Sequence, residues 1–275
     1  MVPGLECASH HADAAHDAPP LLFVHGAYCG AWVWEEHFLP WFAQRGWHAS
    51  AVSLEGHGDS RGHAWLAALG IDDFVRNIRA VVEKMPRPPV LIGHSMGGFV
   101  LQRYLEMYPH DLPAGVVLMA SVPPSGVNGS AWRMMTTAPD LLAALNLFQA
   151  SERYHPDLGQ AQRLLFSPDI DHGRLMGWVN RFQAESMRAL FDMSMIGFFP
   201  ASKLPYVPAL VLGAANDQLI SPQEVVETAC RLGVVAEVLP DTAHLMMLDT
   251  RWERVAEQVA AWLQREFVAA VAVSE

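Results

Sequence analysis

An α/β architecture, a mostly parallel twisted sheet flanked by helices on both faces, is predicted for this 275-residue chain by three observations. Short apolar runs alternate with longer amphipathic stretches. Several of the runs end in Gly, His, Ser or Asp, residues that suit a turn at the end of a strand. The alternation is interrupted only once, by a long stretch without strand signal.

Taken in order, the strand segments are residues 21–25, 49–54, 90–93, 115–120, 209–213 and 236–239. Helical segments follow at 31–45, 71–85, 96–108, 222–232 and 251–268. The fourth of these opens with Ser221 as N-cap and Pro222 in the first turn, where a missing N–H costs nothing. Between about 123 and 205 the strand signal gives way to helical patches such as 140–150 and 185–193. The flanks of that stretch, SVPPSG and FFPASKLPYVP, are rich in proline and small residues, as expected where a chain leaves one layer and re-enters another. The expected organisation is therefore a flexible leader (1–19), a core made of 20–122 and 206–275, and a helical cap (123–205) inserted between two strands and lying over the strand ends.

Bulk composition narrows the function. Hydrophobic residues make up 51% and charged residues 17% of the chain, a mix that fits a globular protein with a generous core and an apolar pocket. A net charge of −11 opposes the phosphate neutralisation on which nucleic-acid binding rests, so no nucleic-acid partner is expected. No apolar run reaches the roughly 18 residues of a membrane span. The first twenty residues lack the basic start and apolar centre of a secretion signal. Cys7, Cys29 and Cys230 are distant from one another and show no paired spacing, so neither disulfides nor a zinc site is expected, and a reducing cytoplasm fits best. His10, His11 and His16 sit in a polar, Ala-rich stretch without a rigid cage for a metal.

Chemistry is concentrated in LIGHSMGG, residues 91–98. Gly93-His94-Ser95-Met96-Gly97 fits the pattern G-x-S-x-G between a strand and a helix. A turn that sharp strains the serine backbone and brings neighbouring chain so close that side chains at the flanking positions would clash, which is why glycines stand there. It also lifts the Ser95 hydroxyl clear of the sheet and leaves the Met96 N–H free at the first turn of a helix, able to hold an oxyanion. A serine hydroxyl needs a base, and the base needs an orienting carboxylate. Asp217, in the loop after 209–213, is the candidate carboxylate, and His244, in the loop after 236–239, the candidate base. His94, beside the serine in a tight turn, is expected to point away from it and to serve packing or hydrogen bonding, though it is also a candidate for the pocket wall. His25 and His57 lie in glycine turns and are expected to bond local backbone; Asp241 and Asp249 are expected to cap a turn or start a helix, and Asp59 to shape its loop.

The order Ser95, Asp217, His244 resembles that of the α/β-hydrolases. The resemblance runs from about 20 to 268 and includes Val24-His25-Gly26-Ala27 and Glu55-Gly56-His57-Gly58-Asp59-Ser60. It implies an α/β-hydrolase fold of the serine esterase or lipase-like branch with a helical cap, and an eight-stranded sheet lacking much of its first hairpin. It also implies that the N–H of Ala27 is the second oxyanion donor. An aspartate at position 95 would have resembled haloalkane dehalogenases or epoxide hydrolases, an option closed by Ser95. The segment from Gly26 to Trp32 is similar to plant methylesterases and hydroxynitrile lyases, but the lysine that closely follows the base in the lyases is replaced here by Leu245 and Met246.

The expected activity is hydrolysis of a carboxylic ester, thioester or lactone of a small to medium, partly apolar substrate, without metal or organic cofactor. Acyl transfer, perhydrolysis, a hydroxynitrile-lyase-like activity and a non-catalytic binding protein of the same fold are the alternatives. Pocket candidates are Tyr28, His94, Trp132, Met134, Met187 and Leu245, and Phe182, Phe198 and Phe199 are further aromatic residues of the insertion. Cys29 is expected to be a buried filler. A monomer or homodimer is expected.

Overall fold

The computed structural model describes residues 2–150, 157–195 and 204–268. Among them one seven-stranded sheet is formed by β1 (Cys7–His10), β2 (Leu21–Val24), β3 (Ala49–Val52), β4 (Val90–His94), β5 (Gly115–Met119), β6 (Ala209–Ala214) and β7 (Ala236–Leu239). Their order across the sheet is β1-β3-β2-β4-β5-β6-β7, and every pairing is parallel except β1 with β3. The six strands expected from the sequence are all present. The seventh corrects the flexible leader: Cys7 to His10 run antiparallel to Val52 to Ala49, and Leu5 is buried beside them. Polar, Ala-rich sequence hides an edge strand well, because only one of its sides is paired and little of it needs to be apolar.

Strand residues alternate between two cores, as a period of two requires. Leu21 and Phe23 of β2, Val90 and Ile92 of β4, and Val117 and Met119 of β5 face one layer. Leu22, Val24, Leu91, Val116 and Leu118 face the other. The first layer is covered by α1 (Trp32–Glu35), α2 (Phe38–Ala43) and α11 (Trp252–Leu263), the second by α3 (Ile71–Val82), α4 (Met96–Met107) and α10 (Pro222–Leu232). The helix expected over 31–45 is thus broken in two. Pro40 cannot donate to the carbonyl of Glu36 and its ring crowds that turn, so the chain leaves helical geometry at His37 (φ −136°) and restarts. In α3 the buried Ile71, Phe74, Val75 and Ile78 repeat at helical spacing. In α10 the cap at Ser221 is as expected, with Glu224 closing a capping box and Gly233 (φ 72°) ending the helix.

Between β5 and β6 the described chain is helical: α5 (Asn128–Thr137), α6 (Pro139–Ala150), α7 (Leu158–Leu165), α8 (His172–Val179) and α9 (Met187–Ser194). Phe198 and Phe199 lie outside the described residues. The strand order reverses between β2 and β4, and at such a switch point the loops beyond the carboxyl ends diverge to leave a crevice. Among the described residues no helix is long and apolar enough to cross a membrane.

Candidate active site

Ser95 stands in that crevice, at the end of β4, with φ 52° and ψ −117°. A non-glycine residue in such a region costs on the order of 1–3 kcal/mol and persists only where its surroundings hold it. Here the Ser95 N–H donates to the Met119 carbonyl (3.0 Å), and its own carbonyl accepts from Phe99 and Val122 (3.2 Å each). The flanking glycines are needed for close approach. A Cβ on Gly93 would sit 2.7 Å from the Gly97 carbonyl oxygen, and one on Gly97 would sit 2.6 Å from the carbonyl oxygens of both Val24 and His25.

The three residues expected to cooperate come together. His244 Nε2 is 3.2 Å from Ser95 Oγ, and His244 Nδ1 is 2.7 Å from Asp217 Oδ2, which lets Nδ1–H donate to the carboxylate while the serine hydroxyl donates to Nε2. The other oxygen, Asp217 Oδ1, accepts the N–H groups of Leu219 (2.7 Å) and Ile220 (2.9 Å), so the carboxylate cannot swing away. Both His244 and Asp217 are buried, whereas Ser95 is only half-buried and reachable. The Met96 N–H opens α4, where no intrahelical partner exists for it, and Ala27 faces the same pocket from the loop after β2.

His94 does not aim at Ser95 as a base. Its Nε2–H donates to the carbonyl of His244 (2.9 Å), its ring lies 4.7 Å from that of His244, and burial keeps it well below the usual imidazole range, so it stays neutral. His25 also bonds local backbone: Nδ1–H donates to the Gly26 carbonyl (2.8 Å), while Nε2 accepts from Leu54 N–H (3.0 Å). Burial, with the neighbouring His57, lowers its pKa from 6.5 to about 3. His57 goes beyond local backbone. Its Nε2–H reaches both carboxylate oxygens of Glu185 (3.0 and 3.1 Å); burial opposes charge on the imidazole, but the carboxylate outweighs it and raises the pKa. Asp249 accepts from Ala243 N–H (2.9 Å) and from both the N–H and hydroxyl of Ser167, tying the loop that carries His244 to the chain after α7.

The pocket above Ser95 measures about 840 Å³ including its open mouth. Of the expected wall residues, Tyr28, His94 and Leu245 line it. Trp132, Met134 and Met187 do not. Trp132 and Met187 are 67% and 57% exposed on outward helix faces, and Met134 fills a small core with Ala138, Leu141 and Leu164. The wall is made instead by Leu141, Ala144, Leu145 and Phe148 of α6, Ala161, Leu164 and Leu165 of α7, and Val179, Phe182, Gln160 and Leu219. A 3.6-residue repeat of apolar positions could mark α6 and α7 as amphipathic, but not which face meets the serine. Cys29 also lines the pocket, and burial raises its thiol pKa, which suits an inert filler rather than a nucleophile.

The match to a family model decides what this arrangement belongs to: residues 21–258 match the alpha/beta hydrolase family. The chain belongs to the alpha/beta hydrolase family. It is 26% identical over 219 residues to a bifunctional esterase/perhydrolase of Acinetobacter calcoaceticus, covering 74% of this chain and 76% of that protein. It is likewise 26% identical to a non-heme haloperoxidase of Rhodococcus erythropolis, over 82% of this chain and 86% of the relative. Among solved structures, an esterase from Exiguobacterium antarcticum superposes with a TM-score of 0.76 at 15% identity, covering 94% of each chain. The BpoC protein of Mycobacterium tuberculosis does so with a TM-score of 0.77 at 21% identity over 97% of each chain. These likenesses establish the alpha/beta hydrolase fold. The sheet has seven strands among the described residues, where the resemblance implied an eight-stranded sheet lacking much of its first hairpin. Those residues contain no cluster of three or more His, Cys, Asp or Glu side chains able to hold a metal ion.

Two outcomes follow for this hydrolase. Gly97→Ala pushes a Cβ against two backbone carbonyls that cannot yield, so it should destabilise the fold by about 1–3 kcal/mol and displace Ser95, lowering activity beyond any loss of folded protein; parallel melting and turnover measurements check this. Because the pKa of His25 in the folded state is depressed, the unfolded chain binds a proton between pH 6.5 and about 3 that the native state does not. Stability attributable to His25 is therefore complete above pH 6.5 and falls with acidification, by at most about 1.4 kcal/mol per pH unit. Denaturant titrations of His25→Asn between pH 6 and 4 should show a pH slope smaller than wild type by about one proton.

Proposed function

We propose that this alpha/beta hydrolase is a serine carboxylic-ester hydrolase working through an acyl-enzyme on Ser95. The supporting observation is the chain of hydrogen bonds from Ser95 through His244 to Asp217 at the floor of an apolar pocket. Ser95 Oγ attacks the ester carbonyl as its proton passes to His244 Nε2. The imidazolium so formed keeps its Nδ1–H on Asp217, and the N–H groups of Ala27 and Met96 receive the oxyanion. Each such donor is typically worth a hundredfold to a thousandfold in turnover. The proton of His244 then goes to the leaving alcohol, a water enters, His244 takes its proton, and the second tetrahedral species collapses to release the acid and restore Ser95.

The pocket wall narrows the substrate. None of its lining residues is Lys or Arg, so a carboxylate or phosphate on the bound acyl group would lose its water without gaining a partner, at a cost of several kcal/mol. The reading is an uncharged, partly apolar acyl group of small to medium size, seated among Leu141, Leu145, Phe148 and Phe182. Helices α5–α9 act as the cap over it. The likeness to an esterase/perhydrolase supports a second reading in which hydrogen peroxide replaces water as acceptor from the same acyl-enzyme. Cyanohydrin cleavage finds no such support, since Leu245 and Met246 follow His244 where the lyases carry a lysine.

A fluorophosphonate probe should label the protein at Ser95. Ser95→Ala and His244→Ala should abolish labelling and lower p-nitrophenyl ester hydrolysis at least about a thousandfold; full labelling of the His244 variant would overturn the choice of base. In a chain-length series, acyl groups of intermediate length should be favoured over acetate and over a charged half-ester. Ala144→Phe, which fills the wall, should depress kcat/KM for the longer esters by about tenfold or more while leaving acetate nearly unchanged. Running the series with added hydrogen peroxide and following peracid distinguishes the two acceptors.

A further inference from the structure

The residues that bear on the oxyanion site do not end with the two donors. Three successive peptides of the loop after β2 are held by hydrogen bonds. The Gly26–Ala27 peptide, whose N–H is the proposed donor, has its carbonyl fixed by His25 Nδ1–H (2.8 Å). In the next peptide the Tyr28 N–H donates to Glu185 Oε2 (3.1 Å). In the third, the Tyr28 carbonyl accepts from Gln183 N–H (3.0 Å). Tyr28 itself sits at φ 65°, a conformation that a bulky residue adopts only when its neighbours impose it. Two of the three restraints come from residues 183 and 185, in the chain between α8 and α9.

That short stretch is itself firmly seated. The side chains of Glu185 and His57 are both 0% exposed and paired, and Glu185 Oε1 also accepts the N–H of Ser186 (2.6 Å). The Gln183 amide spans the loop after β3, accepting from Gly58 N–H (2.9 Å) and donating to the Gly56 carbonyl (2.8 Å). The Glu185 carbonyl in turn accepts from Gln149 of α6, the helix whose preceding residue, Phe148, lines the pocket and packs 5.4 Å from the ring of Tyr28.

We infer that Glu185 is a positioning residue for the oxyanion site: from the helical segment, it holds the Ala27–Tyr28 backbone so that the Ala27 N–H points into the pocket. The inference rests on the proposed ester hydrolysis and deepens it. With this restraint absent the Ala27–Tyr28 peptide is free to rotate, and relaxation of the left-handed turn at Tyr28 turns the adjacent donor away. The same segment roofs the pocket and aims the donor, so seating of the roof and preorganisation of the oxyanion site are mechanically linked. Glu185 touches no substrate and acts through the loop.

The test must remove the acceptor without leaving an unpaired buried charge. The paired replacement His57→Phe with Glu185→Leu does so, since apolar exchange of a buried ion pair is often close to neutral for stability. Glu185→Gln keeps an oxygen for the Tyr28 N–H but gives up the charge that strengthens the bond. Expected for the paired variant is a folded protein with a melting transition lowered by the loss of an acceptor for the Tyr28 and Ser186 N–H groups, kcat for p-nitrophenyl butyrate lowered about ten- to a hundredfold, and KM within about twofold. Affinity for butylboronic acid, whose serine adduct places an oxygen in the oxyanion site, should fall by a similar factor. Glu185→Gln should lose about three- to tenfold in kcat, again with KM retained. Unchanged kcat in the folded paired variant, or a loss confined to KM, overturns the inference. Should the paired variant not fold, Glu185→Gln decides, and kcat within twofold of wild type overturns it. Wild type without Ser95-dependent hydrolysis removes the functional reading and this inference together, whereas normal wild-type turnover with a fully active paired variant removes only the inference.

Discussion

The structure depends on one sharp backbone turn, where β4 ends and α4 begins with Ser95 held at φ 52°. That conformation is unfavourable for serine on its own, and the cost is met by neighbours on both sides. β5 supplies the Met119 carbonyl and the chain just beyond it the Val122 N–H, while the end of β2 lies so close that a Cβ on Gly97 would meet the Val24 and His25 carbonyls. A parallel sheet buried on both faces is what makes such neighbours rigid. Were the strands of β2 or β5 shifted by one residue, every side chain would change faces and the turn would lose the contacts that impose it.

Around this turn, burial and histidine chemistry do much of the positioning. His25 and His94 are each kept neutral by burial, which fixes one ring nitrogen as donor and leaves the other as acceptor. His25 ties the loop after β2 to the loop after β3, and His94 ties the serine turn to the carbonyl of His244. His57 is the opposite case, a histidine whose charge is favoured because Glu185 lies beside it out of water. Three imidazoles near one centre thus differ in role because their immediate partners differ, not because of where they fall in the chain. Asp217 is steadied in the same manner, by two backbone N–H groups in addition to His244.

The helical segment is anchored on both sides of Ser95. On one side Gln183 and Glu185 meet the loops after β2 and β3. On the other, Leu245 and Asp249 of the loop that carries His244 meet the segment, the Leu245 N–H donating to the Leu165 carbonyl and Asp249 accepting from the Ser167 hydroxyl. Its apolar residues divide accordingly: Leu141, Leu164 and Phe182 turn inward to wall the pocket, and Trp132, Met187 and Phe191 turn outward.

By itself the amino-acid sequence determined the features carried by local chemistry. Glycines beside Ser95 announced a turn no side chain could enter, alternating apolar runs announced strands buried on both faces, and Ser221 with Pro222 announced the start of α10. The order of Ser95, Asp217 and His244 was legible because each residue follows a strand, and parallel strands put such loops at one edge. Tertiary structure alone decided the rest. An edge strand at Cys7–His10 needs only one partner and so leaves little apolar mark. Trp132 and Met134, two positions apart, point to solvent and to a core respectively, a choice set by what packs against α5 rather than by their hydrophobicity. Glu185 lies 128 residues from His57 and carries no motif, and its part arises only because folding brings two distant loops to the same carboxylate and excludes water from all of them.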